Sequence, residues 1–420
     1  MNRLRAWNNA AIAADADDAR HQVLGLTDGD RPGTFVSRIR SLAAMPADSF
    51  RRLLLALGLG LGLSQAVVAV LSGQSRNVRA VASGFSGLVG LLLAIGLSIA
   101  LLGRYVRVSI RTFRAIAFVS AALLGFIMLT GSAVRLTGSG LGCPDWPTCK
   151  AGNIVPASGR HAAIEFGNRV VTGLCLLAAA VGVLTALVRR PFRRDLVFFG
   201  LIVSAGLFAN AVLGGLTVIF DLQPQFVMSH FLLAIACLAV GAVLFHRCGE
   251  TGPSGSLLGR NRRSTIDTTM RLLSNALTGM VLLIVIVGCV LTGSGPHGGD
   301  PKVRRFGFSM LDVVRLHSGL VWVTLLLIVV MAGRVRSAKT PAVVEVRRRI
   351  GVLALVAVAQ GGIGYWQWFT QLPALLVQVH ILGAISVWCA VLWVRAAVTV
   401  PAAELGRAAV PLATERAAVA

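Results

Sequence analysis

Apolar runs of about 20 residues, each long enough to cross a hydrocarbon core of ~30 Å, recur along most of this chain. They constrain the fold more than any other feature, because backbone polar groups in lipid must be satisfied internally and a helix does that within each segment. The rest of the composition agrees: 55% of residues are hydrophobic, 14% are charged, and the mean hydropathy is +0.77. These values exclude a water-soluble enzyme and predict an all-α integral membrane protein. A net charge of +23, from 40 Lys and Arg against 17 Asp and Glu, would point to nucleic acid in a soluble protein. Here the basic residues sit in short caps between apolar runs, where they set orientation in the bilayer, and no nucleic-acid partner is expected.

Bounding the runs by charges and turn residues gives ten spans, near 52–72, 83–103, 115–134, 163–188, 196–219, 225–245, 272–292, 311–332, 350–368 and 374–396. The connections holding Arg104 to Arg114, Arg189 to Arg194, Arg247 to Arg263 and Arg334 to Arg349 then fall on one side, together with the basic N-terminus. The positive-inside tendency makes that side cytoplasmic, so a multi-pass protein of the cell membrane with both termini inside is expected. Residues 1–50 read as a cytosolic tail without a signal-peptide layout, with Met45 as an alternative start. Residues 51–104 hold two extra spans, 115–246 and 272–397 hold four each, 247–271 form a cytosolic linker and 398–420 a cytosolic tail.

Four of the seven cysteines, Cys175, Cys237, Cys289 and Cys389, lie in apolar spans and read as small buried hydrophobes, while Cys248 reads as a cytoplasmic free thiol. Cys143 and Cys149 share an outward connection with two prolines between them. Facing an oxidising compartment they could close a disulfide; zinc is disfavoured because no His or further Cys stands at ligand spacing.

The chain repeats itself. Leu136-Thr137-Gly138-Ser139-Gly140 returns as Leu291-Thr292-Gly293-Ser294-Gly295, each time at the outer end of a span. Gly214, Leu222 and His230 keep the same intervals as Gly364, Leu372 and His380. Counting back from His317 by about the same offset reaches Asn168. The two sets of four spans are therefore expected to be quasi-repeated four-helix bundles in parallel orientation.

Histidine within a membrane helix is costly and usually points into the bundle, toward a charge, a backbone group or a cofactor. His317 and His380, at the outer ends of different spans of one unit, suit two axial imidazoles clamping a heme; a structural hydrogen-bonding role is the alternative for either alone. The first half offers one imidazole, His230, opposite Asn168, so an iron there would stay open to chemistry. His161 lies too far outward for that iron, and His21, His246 and His297 read as solvated or interfacial. Glu165 stands one turn before Asn168 and is replaced by Val314 in the second half. An intramembrane carboxylate marks function by default, with a salt bridge to Arg169 or Arg135 as the other reading. Arg135, Arg169, Arg315, Lys302, Arg304 and Arg305 lie near the outer side, as partners for heme propionates or as solvated charge.

The string from Gly131 through Arg135, Leu136-Thr137-Gly138-Ser139-Gly140 and Cys143-Pro144-Asp145-Trp146-Pro147-Thr148-Cys149, then Glu165-Phe166-Gly167-Asn168-Arg169 and the three spaced histidines, resembles the heme A synthase family. The resemblance covers roughly residues 115–396. It implies an eight-helix core with heme b in one half and the substrate heme O in the other, and oxidation of a methyl group of heme O to formyl, giving heme A for cytochrome oxidases. It further implies His317 and His380 as heme b ligands, His230 as a ligand to the substrate heme, Glu165 as the outer-face carboxylate that chemistry requires, and Cys143 with Cys149 as the cysteine pair of the first outer loop. Heme O synthase and cytochrome oxidase subunits are the partners that follow from it, alongside an electron donor it does not name; self-association is left open. Two departures stand out. Asn168 occupies a position where the family commonly has His, and about 110 N-terminal residues with two spans are additional.

Two other classes compete. A transmembrane electron carrier would also use paired histidines, but its halves should be chemically alike, and Glu165 and the cysteine loop occur in one half only. A transporter built on inverted repeats conflicts with motifs that face outward in both halves.

Overall fold

The computed structural model describes residues 108–150, 153–156, 158–189, 192–248, 267–337 and 340–399. The spans expected at 52–72 and 83–103, the N-terminal tail, and most of the 247–271 and 398–420 segments lie outside these residues. The described residues form eight helices and belong to one compact unit. These are α1 (Ile110–Leu136), α2 (Arg160–Val188), α3 (Arg194–Ile219), α4 (Pro224–Cys248), α5 (Thr268–Ser294), α6 (Met310–Val335), α7 (Pro341–Phe369) and α8 (Ala374–Thr399). Seven are long and apolar enough to cross a membrane, and with them the chain is a multi-pass membrane protein. The remaining one, α7, stands where a span was expected and has 29 residues, but Glu345 and Arg347 to Arg349 in its first turns and Gln360 and Gln367 further on dilute its apolar run.

Most helices extend beyond the apolar windows, and three of them begin on a side-chain cap. Ser109 accepts from the Thr112 N–H at the start of α1, Asp267 from Met270 at α5, and Ser309 from Asp312 at α6. Proline opens α4 and α7, where its missing N–H has no helical acceptor to lose.

Two connections are the same turn made twice. After α3, Asp221 and Leu222 adopt left-handed backbone (φ 50° and 55°), and after α7, Gln371 and Leu372 do so (φ 63° and 58°). In each, the leucine N–H returns to the carbonyl five residues earlier at 2.7 Å, Thr217 in one case and Gln367 in the other. This 6→1 bond closes the helix in a Schellman manner and sends the chain straight into the next helix.

Helices α1 to α4 pack in the cycle α1–α2–α3–α4, and α5 to α8 in the cycle α5–α6–α7–α8. The cycles meet along α1, α4, α5 and α8. A continuous buried core, including Leu124, Ile235, Leu238, Leu277, Val281, Ile385 and Val391, fills that seam. Polar bonds register it: Trp388 Nε1 donates to the Ile235 carbonyl at 3.1 Å, Ser132 Oγ to Gln378 Oε1 at 2.9 Å, and Gln378 Nε2 to the Leu129 carbonyl at 3.0 Å. Large apolar side chains on the far faces, such as Val329, Leu355 and Val358, are at least 60% exposed, as lipid-facing residues are. Cys389 belongs to this exposed set rather than to the core, whereas Cys175 and Cys237 are buried as expected. Cys248 is a free thiol but fully buried, donating to the Leu244 carbonyl.

Candidate functional site

The residues singled out from the sequence gather at the helix ends that carry the Cys143–Cys149 loop. Asn168, His230, His317 and His380 each lie seven to nine residues into their helix, roughly 9–12 Å from its end. Each histidine rests on a glycine of a neighbouring helix. A Cβ on Gly214 would come within 2.9 Å of His230 Cε1, one on Gly288 within 3.3 Å of His317 Cε1, and one on Gly364 within 3.1 Å of His380 Cε1. Asn168 Oδ1 takes the corresponding seat beside Gly131 and accepts from Thr130 Oγ1 at 2.7 Å. The glycines are seats cut to ring size.

In the second half, the His317 and His380 ring centres are 6.5 Å apart, with ring planes inclined by 59°. Metal–imidazole bonds of about 2 Å, with roughly 1 Å more to each ring centre, place two imidazoles on opposite sides of one iron about 6 Å apart. The pair therefore fits two axial ligands. Among the described residues no three His, Cys, Asp or Glu converge on a metal site. In the first half, Asn168 stands at the position matching His317, and the buried Nδ1 atoms of His230 and His317 have no side-chain partner, with backbone groups of Asn210 and Ile284 beside the two rings.

Glu165 is buried at 5% exposure beneath the cysteine loop. Its Oε2 accepts from the Cys143 N–H at 2.7 Å and its Oε1 from Arg169 Nη2 at 2.6 Å. The salt bridge weighed for it from the sequence is thus present, to Arg169. Arg169 in turn donates to the Cys143, Asp145 and Thr148 carbonyls at 3.0, 3.1 and 2.8 Å. The ion pair, placed i to i+4 on α2, clasps the loop, which is itself closed by the Cys143–Cys149 disulfide. The loop tip drives the Trp146 indole against Gly215, next to the glycine that seats His230. Any Cβ at residue 215 would collide with that indole.

The other expected participants have different partners. His161 Nδ1 bonds Ser139 Oγ at 2.9 Å, and His297 Nε2 bonds the Leu372 carbonyl at 2.8 Å while its own carbonyl accepts from Arg135 at 2.6 Å. Both hold connections together. Arg305 donates to the Pro296 carbonyl, and Arg315 pairs with Asp312 on the exposed surface. Lys302 and Arg304 line a cleft of about 480 Å³ with Leu141, Asp221, Gln223, Val303 and Asp300. Two contributors escaped the sequence reading. Trp146 could not be placed without the loop's path, and Gln360, 3.0 Å from His380 Nδ1, is an amide within an apolar run. The interval between His230 and His380 would have paired Gln360 with Asn210 and flagged both.

Residues 114–296 match the family model COX15-CtaA, described as a cytochrome oxidase assembly protein. Over these residues, a little under half of its length, the chain is similar to that family. The COX15-CtaA segment contains Glu165, Asn168 and His230 and ends within the connection after α5, ahead of His317. Heme A synthase of Symbiobacterium thermophilum is 34% identical over 149 residues, which are 33% of this chain and 46% of that protein. Heme A synthase of Bacillus pumilus is 29% identical over 128 residues, 30% and 41% of the two chains. That of Staphylococcus haemolyticus is 24% identical over 198 residues, 46% and 63%. The chain thus spans less than half the length of the first two relatives.

Proposed function

We propose that this chain is a heme A synthase, an oxidoreductase that converts a methyl group of heme O to formyl. The observation that carries the reading is an asymmetry between the halves: two imidazoles 6.5 Å apart in one, and in the other a single imidazole, His230, with Asn168 bonded to Thr130. The halves, 115–246 and 272–397, are read as duplicates with divided labour. His317 and His380 would hold a heme b, which supplies one-electron redox chemistry when bound. His230 would hold the substrate heme O on one face only, leaving the face toward Asn168 free of a strong protein ligand.

The remaining residues fit that task. Trp146 and the disulfide loop cover the His230 side and exclude water. Glu165, paired with Arg169 under this loop, is placed to favour positive charge developing at the substrate carbon and to take a proton from water adding there. Arg169 holds the carboxylate in place. The arginine-rich helix ends are assigned to the cytoplasm and the heme sites to the outer face. Heme O synthase, cytochrome oxidase subunits and the electron donor are the expected partners.

The test is chromatography of hemes extracted from cells that make heme O but no heme A, with and without this chain. Heme A or its hydroxylated precursor is expected. Co-purified heme b with heme O left unconverted, in the presence of a competent electron donor, would favour the electron carrier.

A further inference from the structure

His380 differs from the other two imidazoles in what stands behind it. One turn before Gly364 on α7, Gln360 Nε2 donates to the His380 carbonyl at 2.8 Å and lies 3.0 Å from His380 Nδ1. Gln360 Oε1 is buried without a partner. It occupies space that exists because residue 383 is glycine, since a Cβ there would run into it. Gln360 also borders a cleft of about 290 Å³ between α7 and α8, lined by Leu355, Ala359, Val379 and Leu382. His230 and His317 have no side-chain partner at Nδ1; backbone groups of Asn210 and Ile284 stand beside them instead. In the first half the matching position is Asn210, an amide one methylene shorter whose Oδ1 is buried and unpaired, and Leu233 stands where Gly383 makes room.

With the amide nitrogen toward Nδ1, the ring accepts at Nδ1 and carries its proton on Nε2, the nitrogen that a metal at the facing side needs free. Ligation at Nε2 moves the proton to Nδ1, which then requires an acceptor, and such an outer partner raises the basicity of the ligand. The unpaired Oε1 of the same side chain is the acceptor at hand.

We infer that Gln360 is the positioning residue of the second-half heme: when iron binds His380 the amide gives up its bond to the His380 carbonyl and turns away from it, so that Oε1 accepts from Nδ1–H and makes His380 a stronger electron donor than it is without that bond. The inference rests on His317 and His380 being those ligands. A stronger donor favours ferric iron and lowers the reduction potential.

The experiment uses the full-length protein purified with heme b, comparing Gln360→Leu, Gln360→Asn and Gln360→Glu by redox titration and by electron paramagnetic resonance of the ferric form. Leu removes the acceptor and Asn draws it out of reach, so both should raise the midpoint potential and loosen heme b by about tenfold. Glu supplies a stronger acceptor and should lower the potential. Midpoints and resonance positions unchanged in all three, with heme retained, overturn the inference; a shift of the same sign in all three overturns it too, since mere loosening of the pocket does not depend on acceptor strength. If Gln360→Leu holds no heme, the opposite signs of Asn and Glu decide. A low-spin band that survives His380→Ala would instead refute the ligand assignment, a distinct failure.

Discussion

At Phe220 to Pro224 and again at Thr370 to Pro373 the chain makes one and the same turn, and eight residues after each turn's leucine a histidine settles on a glycine of the preceding helix. Around those two rings everything else differs. In the first ring's half, Asn168 holds the position matching His317, Gly215 lies beside the seat with the Trp146 indole upon it, and Glu165 lies under the loop. The second has His317 across from it, Tyr365 in place of Gly215, Val314 in place of Glu165, and Gln360 behind it. The seat is thus a property of backbone and glycine, repeated with the fold. The proposed chemistry then resides in the side chains that approach the seat from elsewhere, above all from a connection that is closed by a disulfide in one half and not in the other.

The comparison breaks most completely if the pair in the second half is dismantled. His317→Ala or His380→Ala should each abolish the low-spin heme b spectrum of the purified protein, because one imidazole leaves the iron with an open axial position. An unchanged spectrum in either would remove that residue from the ligand set. The reverse change should make the halves alike: Asn168→His places a second imidazole opposite His230. A new low-spin signal is expected, with heme O conversion reduced about tenfold or more, equivalent to at least 1.4 kcal/mol in the barrier. Conversion at the original rate would show that the face opposite His230 need not stay open. Loss of the Thr130 bond to Asn168 accompanies this change and costs about 1 kcal/mol of stability.

Much of this asymmetry is legible in the amino-acid sequence. The apolar windows locate all eight described helices, and the repeated intervals put the histidines and Asn168 at corresponding depths, because a helix converts spacing directly into height and face. The Glu165–Arg169 pair is legible too, since i and i+4 share a face. What spacing cannot supply runs between elements. Trp146 reaches Gly215 only through the folded loop, Gln360 meets His380 across two helices, and Gln378 joins the halves through Ser132, a contact nearly 250 residues distant in sequence. Exposure is also misread where lipid replaces water, as at Cys389, because apolarity does not distinguish a core face from a bilayer face.

A smaller effect tests whether the loop contact belongs to the first half alone. Gly215→Ala forces the Trp146 indole off α3 and should cost about 1–3 kcal/mol through overpacking. Trp146 emission should move to longer wavelength as the ring is displaced into water, while the His317 and His380 spectrum stays as it was. Equal disturbance of both halves would mean that the seam between them, and not the loop, transmits the change.

The smallest expected difference lies at the opposite helix ends, where each half begins with a cap. Ser109 starts α1 with a neutral hydroxyl. Asp267 starts α5 with a carboxylate, held below its ordinary value of 3.8 first by the Met270 N–H and then by Arg334 of α6 at 3.0 Å. A carboxyl whose folded value is depressed adds stability that is complete above its unfolded value and fades as pH falls through the folded one. Both partners of the ion pair are 45% exposed, so solvent screens it and the cap dominates, at about 1 kcal/mol. In thermal melts of detergent-solubilised protein, Asp267→Asn, which keeps a capping oxygen but removes the charge, should therefore lower the midpoint slightly at pH 7, and the difference from wild type should fade as the pH falls below about 4. Ser109→Ala, which removes the cap itself, should cost about 1 kcal/mol with no dependence on pH. If both losses ignore pH, the charge of Asp267 does nothing for the second half that a neutral cap does not do for the first.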